Sequence, residues 1–230
     1  MEPHPTAAPP FWPAGTVYGT ALNFPGELAR LGAQVDAAPY KGAPKAPVLY
    51  VKTANTWSAS GSPVPLPPGL AEVEVGASVA MVVGPPAFAP DGGPARPSVA
   101  GYVLVSDLSI PHESLFRPPV KYKCLDGFLG IGPTLVAPAA AGDPAAFVIE
   151  VRVDGALAQV QRFDALVRDA ATLLADVAGC MALRAGDLLL LGSDAGRARA
   201  RAGQRVELHL PALPAFGRLV QPLVAEEVQP

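Results

Sequence analysis

Two lysines stand in surroundings that favour ligand binding over simple solvation. Lys52 ends an apolar run, where a buried ammonium group requires a partner. Lys123 lies in a polar loop just before Asp126 and Gly127. Ammonium groups there offer charge and hydrogen-bond donors, which suit an anionic ligand. Lys121, by contrast, is interpreted as a solvated cation.

Carboxylates form a second set of candidates. Glu72 and Glu74 are two residues apart, so on a strand both side chains point to one face. Asp107 follows an apolar run. It is either a functional carboxylate or, equally well, an aspartate that caps the turn at the end of a strand. His112 and Glu113 are adjacent and could act as acid and base, but a pair of loop residues is the simpler interpretation.

The composition excludes several classes of protein. Of 230 residues, 50% are hydrophobic and 16% are charged, which argues against disorder across the chain. The formal net charge of -3 comes without a basic stripe, so nucleic-acid binding is not indicated. No apolar run reaches the ~18–20 residues of a membrane helix. The arginine-rich run at 197–205 is interpreted as a solvated turn.

The ends and the cysteines indicate a cytoplasmic setting. Residues 1–14 are proline-rich, have no apolar signal-peptide core and are predicted to be a flexible lead-in. Residues 15–230 are predicted to form a single domain. Cys124 and Cys180 are too few for a disulfide framework, and we expect both to be buried, reduced thiols.

Turn signals and apolar runs predict many short strands. The chain has 28 Pro and 23 Gly, which favour turns over long helices. Strands are predicted at residues 16–24, 48–52, 79–83, 99–105, 188–191 and 206–210. Residues 147–153 and 156–161 flank Asp154 and Gly155, which predicts a hairpin with a two-residue turn. Residues 85–97 are predicted to be an exposed loop.

One segment is typical of an amphipathic helix, at residues 164–178. Its apolar positions recur at helical spacing: Leu166, Ala170, Leu173, Leu174 and Val177. Asp164 is the predicted N-cap and Gly179 the predicted terminator. The predicted fold class is therefore α+β, a β-rich domain with one main helix.

Three segments resemble the fumarylacetoacetate hydrolase family. The first comprises residues 39–41 (PYK) and 51–56 (VKTANT); the second comprises 101–109 (GYVLVSDLS), 121–128 (KYKCLDGF) and 131–133 (IGP). The third runs from 185–188 (AGDL) through 192–196 (GSDAG) to 203–207 (GQRVE). Their order and spacing imply that family's fold of packed, mostly antiparallel sheets.

Within the family, two runs resemble the N-terminal half, or separate subunit, of the isomerase/decarboxylase of 4-hydroxyphenylacetate (homoprotocatechuate) degradation. They are residues 40–45 (YKGAPK) and 113–118 (ESLFRP). The resemblance implies a subunit of a decarboxylase/isomerase of aromatic catabolism. Its substrate would be a 2-oxo di- or tricarboxylate of the 5-carboxymethyl-2-oxo-hex-3-ene-1,7-dioate or 2-hydroxyhepta-2,4-diene-1,7-dioate type.

The resemblance also implies a divalent cation, Mg²⁺ or Mn²⁺, which such enzymes use as a Lewis acid on the 2-oxo acid. The family's Glu-x-Glu pair falls here on Gly76 and Ser78, and Asp107 is the only ligand position retained. A register shift that uses Glu72 and Glu74 would restore a pair but misplace the apolar run that follows. We therefore expect metal binding to be weak or absent.

Other site residues follow from the same resemblance. Asp107 and Lys123 are the implied catalytic residues, whereas Lys52, Ser193 and Asp126 are the implied substrate-binding residues. The His-Glu dyad of the family's hydrolases is missing, and Glu27 is interpreted as forming a surface ion pair with its helix neighbour, Arg30.

Two interpretations of the chain's role remain open. It is either a decarboxylase/isomerase subunit or a metal-deficient, non-catalytic partner of a metal-bearing paralogue. Both predict a homo-oligomer or a heteromer with such a relative.

Overall fold

The computed structural model describes residues 10–87, 96–112 and 117–226. These residues form two β-sheets and four short α-helices. The strands are β1 Val17–Ala21, β2 Val48–Lys52, β3 Trp57–Ala59, β4 Val64–Leu66, β5 Val73–Val83, β6 Val99–Ser109, β7 Leu129–Ile131, β8 Val148–Val153, β9 Ala156–Arg162, β10 Leu188–Leu190, β11 Ala198–Ala200, β12 Arg205–His209 and β13 Arg218–Ala225. The helices are α1 Pro25–Leu31, α2 Val120–Lys123, α3 Pro138–Ala141 and α4 Ala170–Cys180.

The larger sheet has eight strands in the order β2-β1-β10-β5-β6-β7-β3, with β11 also paired to β5. The smaller sheet has the order β4-β13-β12-β8-β9. Most pairs are antiparallel, and the parallel ones are β1–β10, β3–β7 and β4–β13. The predicted α+β class, with mostly antiparallel sheets and α4 as the one main helix, is confirmed.

The two central strands, β5 and β6, are longer than the sequence predicted. Each has 11 residues, and every residue of β5 is buried. One face of the large sheet meets the main core, and the other carries a second apolar cluster packed by Phe11 and Trp57. Burial on both faces removes the alternation that marks a strand, and the polar residues Glu74 and Asp107 interrupt the apolar runs.

The main helix begins later than its apolar periodicity indicated. Asp169, not Asp164, is the N-cap, and its carboxylate accepts a hydrogen bond of 2.7 Å from the Thr172 amide. The residues just before Asp169 are hydrogen-bonded to Asn23 instead. The Val167 amide donates to the Asn23 carbonyl, and the Arg168 amide donates to the Asn23 side-chain oxygen, both at 2.9 Å. These long-range contacts hold the predicted first turn out of helical geometry.

Several shorter predictions also have a clear outcome. The hairpin is confirmed, because Asp154 and Gly155 have φ angles of 50° and 82° between β8 and β9. The prediction that both cysteines are buried is wrong, because Cys180 is exposed and Cys124 is partly exposed. Across the described part of the chain, no helix is long and apolar enough to cross a bilayer.

Some predictions concern residues outside the described ranges. They are the first nine residues of the lead-in, residues 88–95 of the predicted loop, residues 113–116 of the ESLFRP run, which include Glu113, and the last four residues. The described end of the lead-in contacts the domain. The Phe11 amide donates a 2.9 Å hydrogen bond to the Pro133 carbonyl, and the Trp12 ring packs edge-on against Trp57.

Candidate functional site

Three of the predicted site residues meet at one buried ion cluster. Asp107 lies within β6, so it is part of the strand and does not cap its end. Its Oδ1 is 2.9 Å from Lys52 Nζ, and its Oδ2 is 2.7 Å from Lys123 Nζ. Strand β2 supplies Lys52 and the single-turn helix α2 supplies Lys123. Both carboxylate oxygens therefore face an ammonium group.

Lys52 is enclosed by main-chain carbonyl groups. Its Nζ donates to the carbonyls of Lys123 at 2.5 Å, Phe128 at 2.9 Å and Leu108 at 3.3 Å. The side chain has no exposed surface. These contacts use the donors of the ammonium group and fix the loop that carries Lys123 against β6. Lys52 is therefore placed to orient Asp107 and this loop.

Tyr50 is a fourth member of the cluster, and it was not among the residues predicted from the sequence. Its hydroxyl donates to Asp107 Oδ2, and Lys123 Nζ lies 4.6 Å from its ring centroid. The ring crosses Gly19 on β1, where a Cβ atom would come within 2.1 Å of it. The available signal was the strand period, because Tyr50 is two residues before Lys52 and shares its face.

Burial and charge set the protonation of this cluster. Burial alone would raise the pKa of Asp107, but Lys123, Lys52 and the hydrogen bonds hold it below its usual range. Burial lowers the pKa of Lys123 to about 8, against the opposing attraction of Asp107. Burial, followed by Asp107, raises the pKa of Tyr50 well above its usual value. Lys123 thus has a pKa near that of a proton-transfer group.

A cavity of about 400 Å³ opens beside this cluster. Lys123 and Tyr50 line it, together with apolar residues of β2 and the Pro118–Pro119 segment. Arg117 provides a second cation on its wall. Among the described residues that line it, none is acidic, so the cavity suits an anion with an apolar body.

Ser193 belongs to a second, adjacent ion cluster. Its hydroxyl accepts a 2.9 Å hydrogen bond from Arg197 Nε, and the same guanidinium pairs with Glu27 and lies 3.6 Å from Glu74. Burial raises the pKa of Glu27, and Arg197 opposes the rise. The prediction of a surface ion pair between Glu27 and Arg30 is therefore wrong, and so is the prediction that Arg197 is solvated. The charge of the buried Glu27 carboxylate on helix α1 is neutralised by Arg197, which is 170 residues away in the chain.

The divalent ion that the resemblance implies does not fit these residues. Gly76 pairs with Asp107 across β5 and β6, and a Cβ atom at Gly76 would lie 2.7 Å from the Asp107 carbonyl oxygen. Ser78 donates to the Gly192 carbonyl at 2.7 Å, while both Asp107 oxygens face lysines. The described ranges contain no group of three His, Cys, Asp or Glu side chains placed to hold a metal ion.

The alternative register is not adopted. Glu74 pairs with Ser109 rather than Asp107, and Glu72 precedes the strand and pairs with Arg199 at the surface. Glu74 is buried, but its nearest cations are Arg197 and Arg199. The two glutamates consequently do not share a site with Asp107.

The remaining sequence candidates lie apart from the cavity. Asp126 is exposed and accepts a 2.6 Å hydrogen bond from the Asn55 side chain. His112 Nδ1 lies 2.9 Å from the Ile110 carbonyl, and its ring stacks on Tyr122. A larger cavity of about 770 Å³ runs along α4, and none of the predicted site residues lines it.

Fold and site together define a β-rich domain in which a Lys-Asp-Lys cluster borders an anion-accepting cavity. The chain belongs to the fumarylacetoacetate hydrolase family, since residues 16–224 match the family described as fumarylacetoacetate (FAA) hydrolase C-terminal.

Among curated proteins, the chain is 35% identical over 200 residues to the 4-hydroxyphenylacetate degradation bifunctional isomerase/decarboxylase of Escherichia coli. That match covers 87% of this chain and 46% of the relative. The Salmonella dublin protein of the same name is 36% identical over 213 residues, with 93% and 48% covered. The chain thus spans about half the length of these relatives.

Solved structures share the fold. Fumarylpyruvate hydrolase from Pseudomonas aeruginosa, in complex with Mn²⁺ and pyruvate, has a TM-score of 0.73 at 22% identity. The match covers 97% of this chain and 94% of that one. The 2-hydroxyhepta-2,4-diene-1,7-dioate isomerase of Mycobacterium marinum gives 0.70 at 23% identity, with 93% and 75% covered.

Proposed function

We propose that this chain is a subunit of a decarboxylase/isomerase that acts on 2-oxo polycarboxylates in aromatic catabolism. The observation that carries the proposal is the cavity of about 400 Å³, which Lys123 and Tyr50 line and which has no acidic residue among its described lining residues. The names of the curated relatives support the same reaction class. The two free cysteines support a cytoplasmic setting.

Lys123 would promote decarboxylation by stabilising an enolate. In a 2-oxo-3-ene acid with a carboxylate on C5, the C5–carboxylate bond breaks and carbon dioxide leaves. The electron pair forms the C4–C5 double bond, the C3–C4 pair moves to C2–C3, and the carbonyl pair moves to the C2 oxygen. An ammonium group beside that oxygen stabilises the developing negative charge. Transfer of a proton from the ammonium group to the C2 oxygen gives the 2-hydroxy-diene.

The same lysine would serve the isomerisation. Neutral Lys123 takes the proton from the 2-hydroxyl group, and the oxygen pair re-forms the C2 oxo group. The C2–C3 pair moves to C3–C4, and the C4–C5 pair takes a proton at C5 from a water molecule. The Lys123 ammonium group then returns its proton to the hydroxide, which restores water and neutral lysine. A group with a pKa of about 8 is partly protonated near neutral pH, which allows it to act in both directions. Asp107 and Tyr50 orient the ammonium group, and Lys52 holds Asp107.

The proposal assigns no step to a divalent ion, because the residues at the family's ligand positions do not fit one. Ser193 and Asp126 remain proposed substrate-binding residues from the resemblance alone. Neither is among the described residues that line the cavity. A substrate contact with either would require a rearrangement, or a surface contributed by another subunit.

The test is turnover of a 2-oxo-alkenedioate by Lys123→Met, with Lys121→Met as the matched control on the same helix. We expect a loss of about 30- to 1,000-fold in kcat for the first variant, corresponding to roughly 2–4 kcal/mol of lost charge stabilisation. The control should retain turnover. Because Lys123 is buried beside Asp107, turnover is measured well below each variant's unfolding midpoint. Unchanged turnover in folded Lys123→Met would contradict the proposed role.

A second candidate is a non-catalytic partner of a metal-bearing paralogue. The specific observations in its favour are the poor fit of Gly76, Ser78 and Asp107 to a metal, and the match to only 46–48% of the curated relatives. On this interpretation the chain completes a heteromer, while the other subunit carries out the chemistry.

Co-expression with the paralogue separates the two candidates. The non-catalytic interpretation expects light scattering to show a heteromer whose turnover is insensitive to Lys123→Met. The catalytic interpretation expects turnover that depends on Lys123 in every active assembly, whether a homo-oligomer or a heteromer. A stable monomer, both alone and with the paralogue, would contradict the proposed oligomeric assembly.

A further inference from the structure

Two cationic side chains, those of Lys123 and Arg117, line the cavity beside the Lys-Asp-Lys cluster. The rest of its lining is mostly apolar and includes the Tyr50 ring, the aliphatic side chains of β2, Pro118 and Pro119. This lining suits a ligand with an apolar chain and two anionic groups.

Arg117 is exposed and, unlike the largely buried cations Lys52, Lys123 and Arg197, pairs with no acidic side chain among the described residues. Lys52 and Lys123 pair with Asp107, and Arg197 pairs with Glu27. In the described part of the chain, no ion pair or hydrogen bond engages the exposed Arg117 side chain. Its five donors are therefore available to bind a carboxylate with two parallel hydrogen bonds.

Arg117 and Lys123 lie on the same short stretch of main chain. Two consecutive prolines, Pro118 and Pro119, follow Arg117, and proline rings restrict the backbone on both sides. The Pro119 carbonyl accepts hydrogen bonds from the amides of Tyr122 at 3.0 Å and Lys123 at 2.9 Å. The stretch from Pro119 to Lys123 is thus internally hydrogen-bonded, and two prolines restrict the backbone directly after Arg117, which reduces the cost of ordering on ligand binding.

We propose that Arg117 binds the distal carboxylate of a dianionic substrate whose 2-oxo-acid end lies at Lys123. This assignment rests on the proposed function and adds a specificity-determining residue to it. The apolar walls contact the carbon chain, so the site selects 2-oxo acids that end in a second carboxylate. A 2-oxo acid with a methyl end would leave the guanidinium without a partner.

The experiment compares two probes that differ only in the distal group, 2-oxoheptanedioate and 2-oxoheptanoate. Binding of each is measured by calorimetry to the unmodified chain, Arg117→Gln, Arg117→Lys and the control Lys121→Gln. We expect the unmodified chain and the control to prefer the dioate by about 10- to 100-fold, as for one charge-assisted contact. Arg117→Gln should reduce that preference to nearly 1, and Arg117→Lys should restore part of it.

The outcomes distinguish this inference from the function on which it rests. If Arg117→Gln keeps the full preference for the dioate, Arg117 is not the distal anchor. If the unmodified chain binds both probes equally well, the inference fails while the proposed 2-oxo-acid function stands. If it binds neither probe, both fail. Because Arg117 is exposed, an unchanged unfolding midpoint is expected for its variants and verifies that they are folded.

Discussion

Lys52 is the residue whose replacement should destabilise the site most directly. Its Nζ satisfies three carbonyl groups, those of Lys123, Phe128 and Leu108, and pairs with Asp107 without any exposed surface. Lys52→Met keeps most of the apolar stem but removes the ammonium donor from all three carbonyls, of which that of Phe128 keeps the Leu108 amide at 2.9 Å. It also leaves Asp107 with one cation. Breaking a buried pair of this kind typically costs about 3–5 kcal/mol.

The assay is thermal unfolding followed by circular dichroism at neutral pH. For a domain of this length, each kcal/mol shifts the midpoint by about 2–4 °C, so we expect Lys52→Met to unfold about 6–20 °C lower. Lys121→Met removes the same charge from an exposed position and should change stability by less than about 0.5 kcal/mol.

A double-mutant cycle locates the origin of the loss. In an Asp107→Asn background, Lys52→Met should cost less than in the unmodified chain, because the uncompensated carboxylate charge is already absent. A midpoint for Lys52→Met within about 2 °C of the Lys121→Met midpoint would refute the conclusion that Lys52 holds the loop and Asp107 together.

Three further predictions follow from the structure. Arg197→Met should lower the unfolding midpoint, because it leaves the buried Glu27 carboxylate without its cation. Burial already raises the pKa of Glu27 in the folded protein, and the loss of Arg197 raises that pKa further. As pH falls, Glu27 becomes protonated and the unpaired charge disappears, so the decrease in midpoint should become smaller. A loss equal at pH 7.5 and pH 5 would contradict this. Asp169→Ala should cost about 1 kcal/mol through loss of the helix cap, whereas Asp164→Ala should be nearly neutral; equal effects in chemical denaturation would contradict that assignment. Calorimetric titration with Mn²⁺ should give no stoichiometric micromolar site, and finding one would overturn the poor fit of the ligand positions.

Local patterns were sufficient where a structural feature depends on neighbouring residues. The bounds of β2 were predicted correctly, because its run of β-favouring residues ends at polar Thr53. The Asp154–Gly155 turn was also predicted, since two residues in left-handed geometry define a tight hairpin. The order of three weak motifs was enough to identify the family, although each alone was not specific.

Local patterns failed where a distant residue decides the structure. The start of α4 depends on Asn23, which is 145 residues from Arg168 in the chain. The burial of Glu27 depends on Arg197, at a separation of 170 residues. Helical periodicity and charge spacing describe only nearby residues, so they assigned the first case to helix and the second to the surface.

The sequence alone determined the fold class, the family and most of the ionisable residues in the buried cluster. Lys52, Asp107 and Lys123 were identified from their types and motif positions. Only the tertiary structure decided what each of them does, because a lysine's role depends on which acceptors surround its ammonium group. Packing turned Lys52 toward three carbonyls and placed Lys123 on a cavity wall beside Tyr50. It also brought Arg117 to that wall, since the cavity exists only once β2 and the segment before α2 pack together.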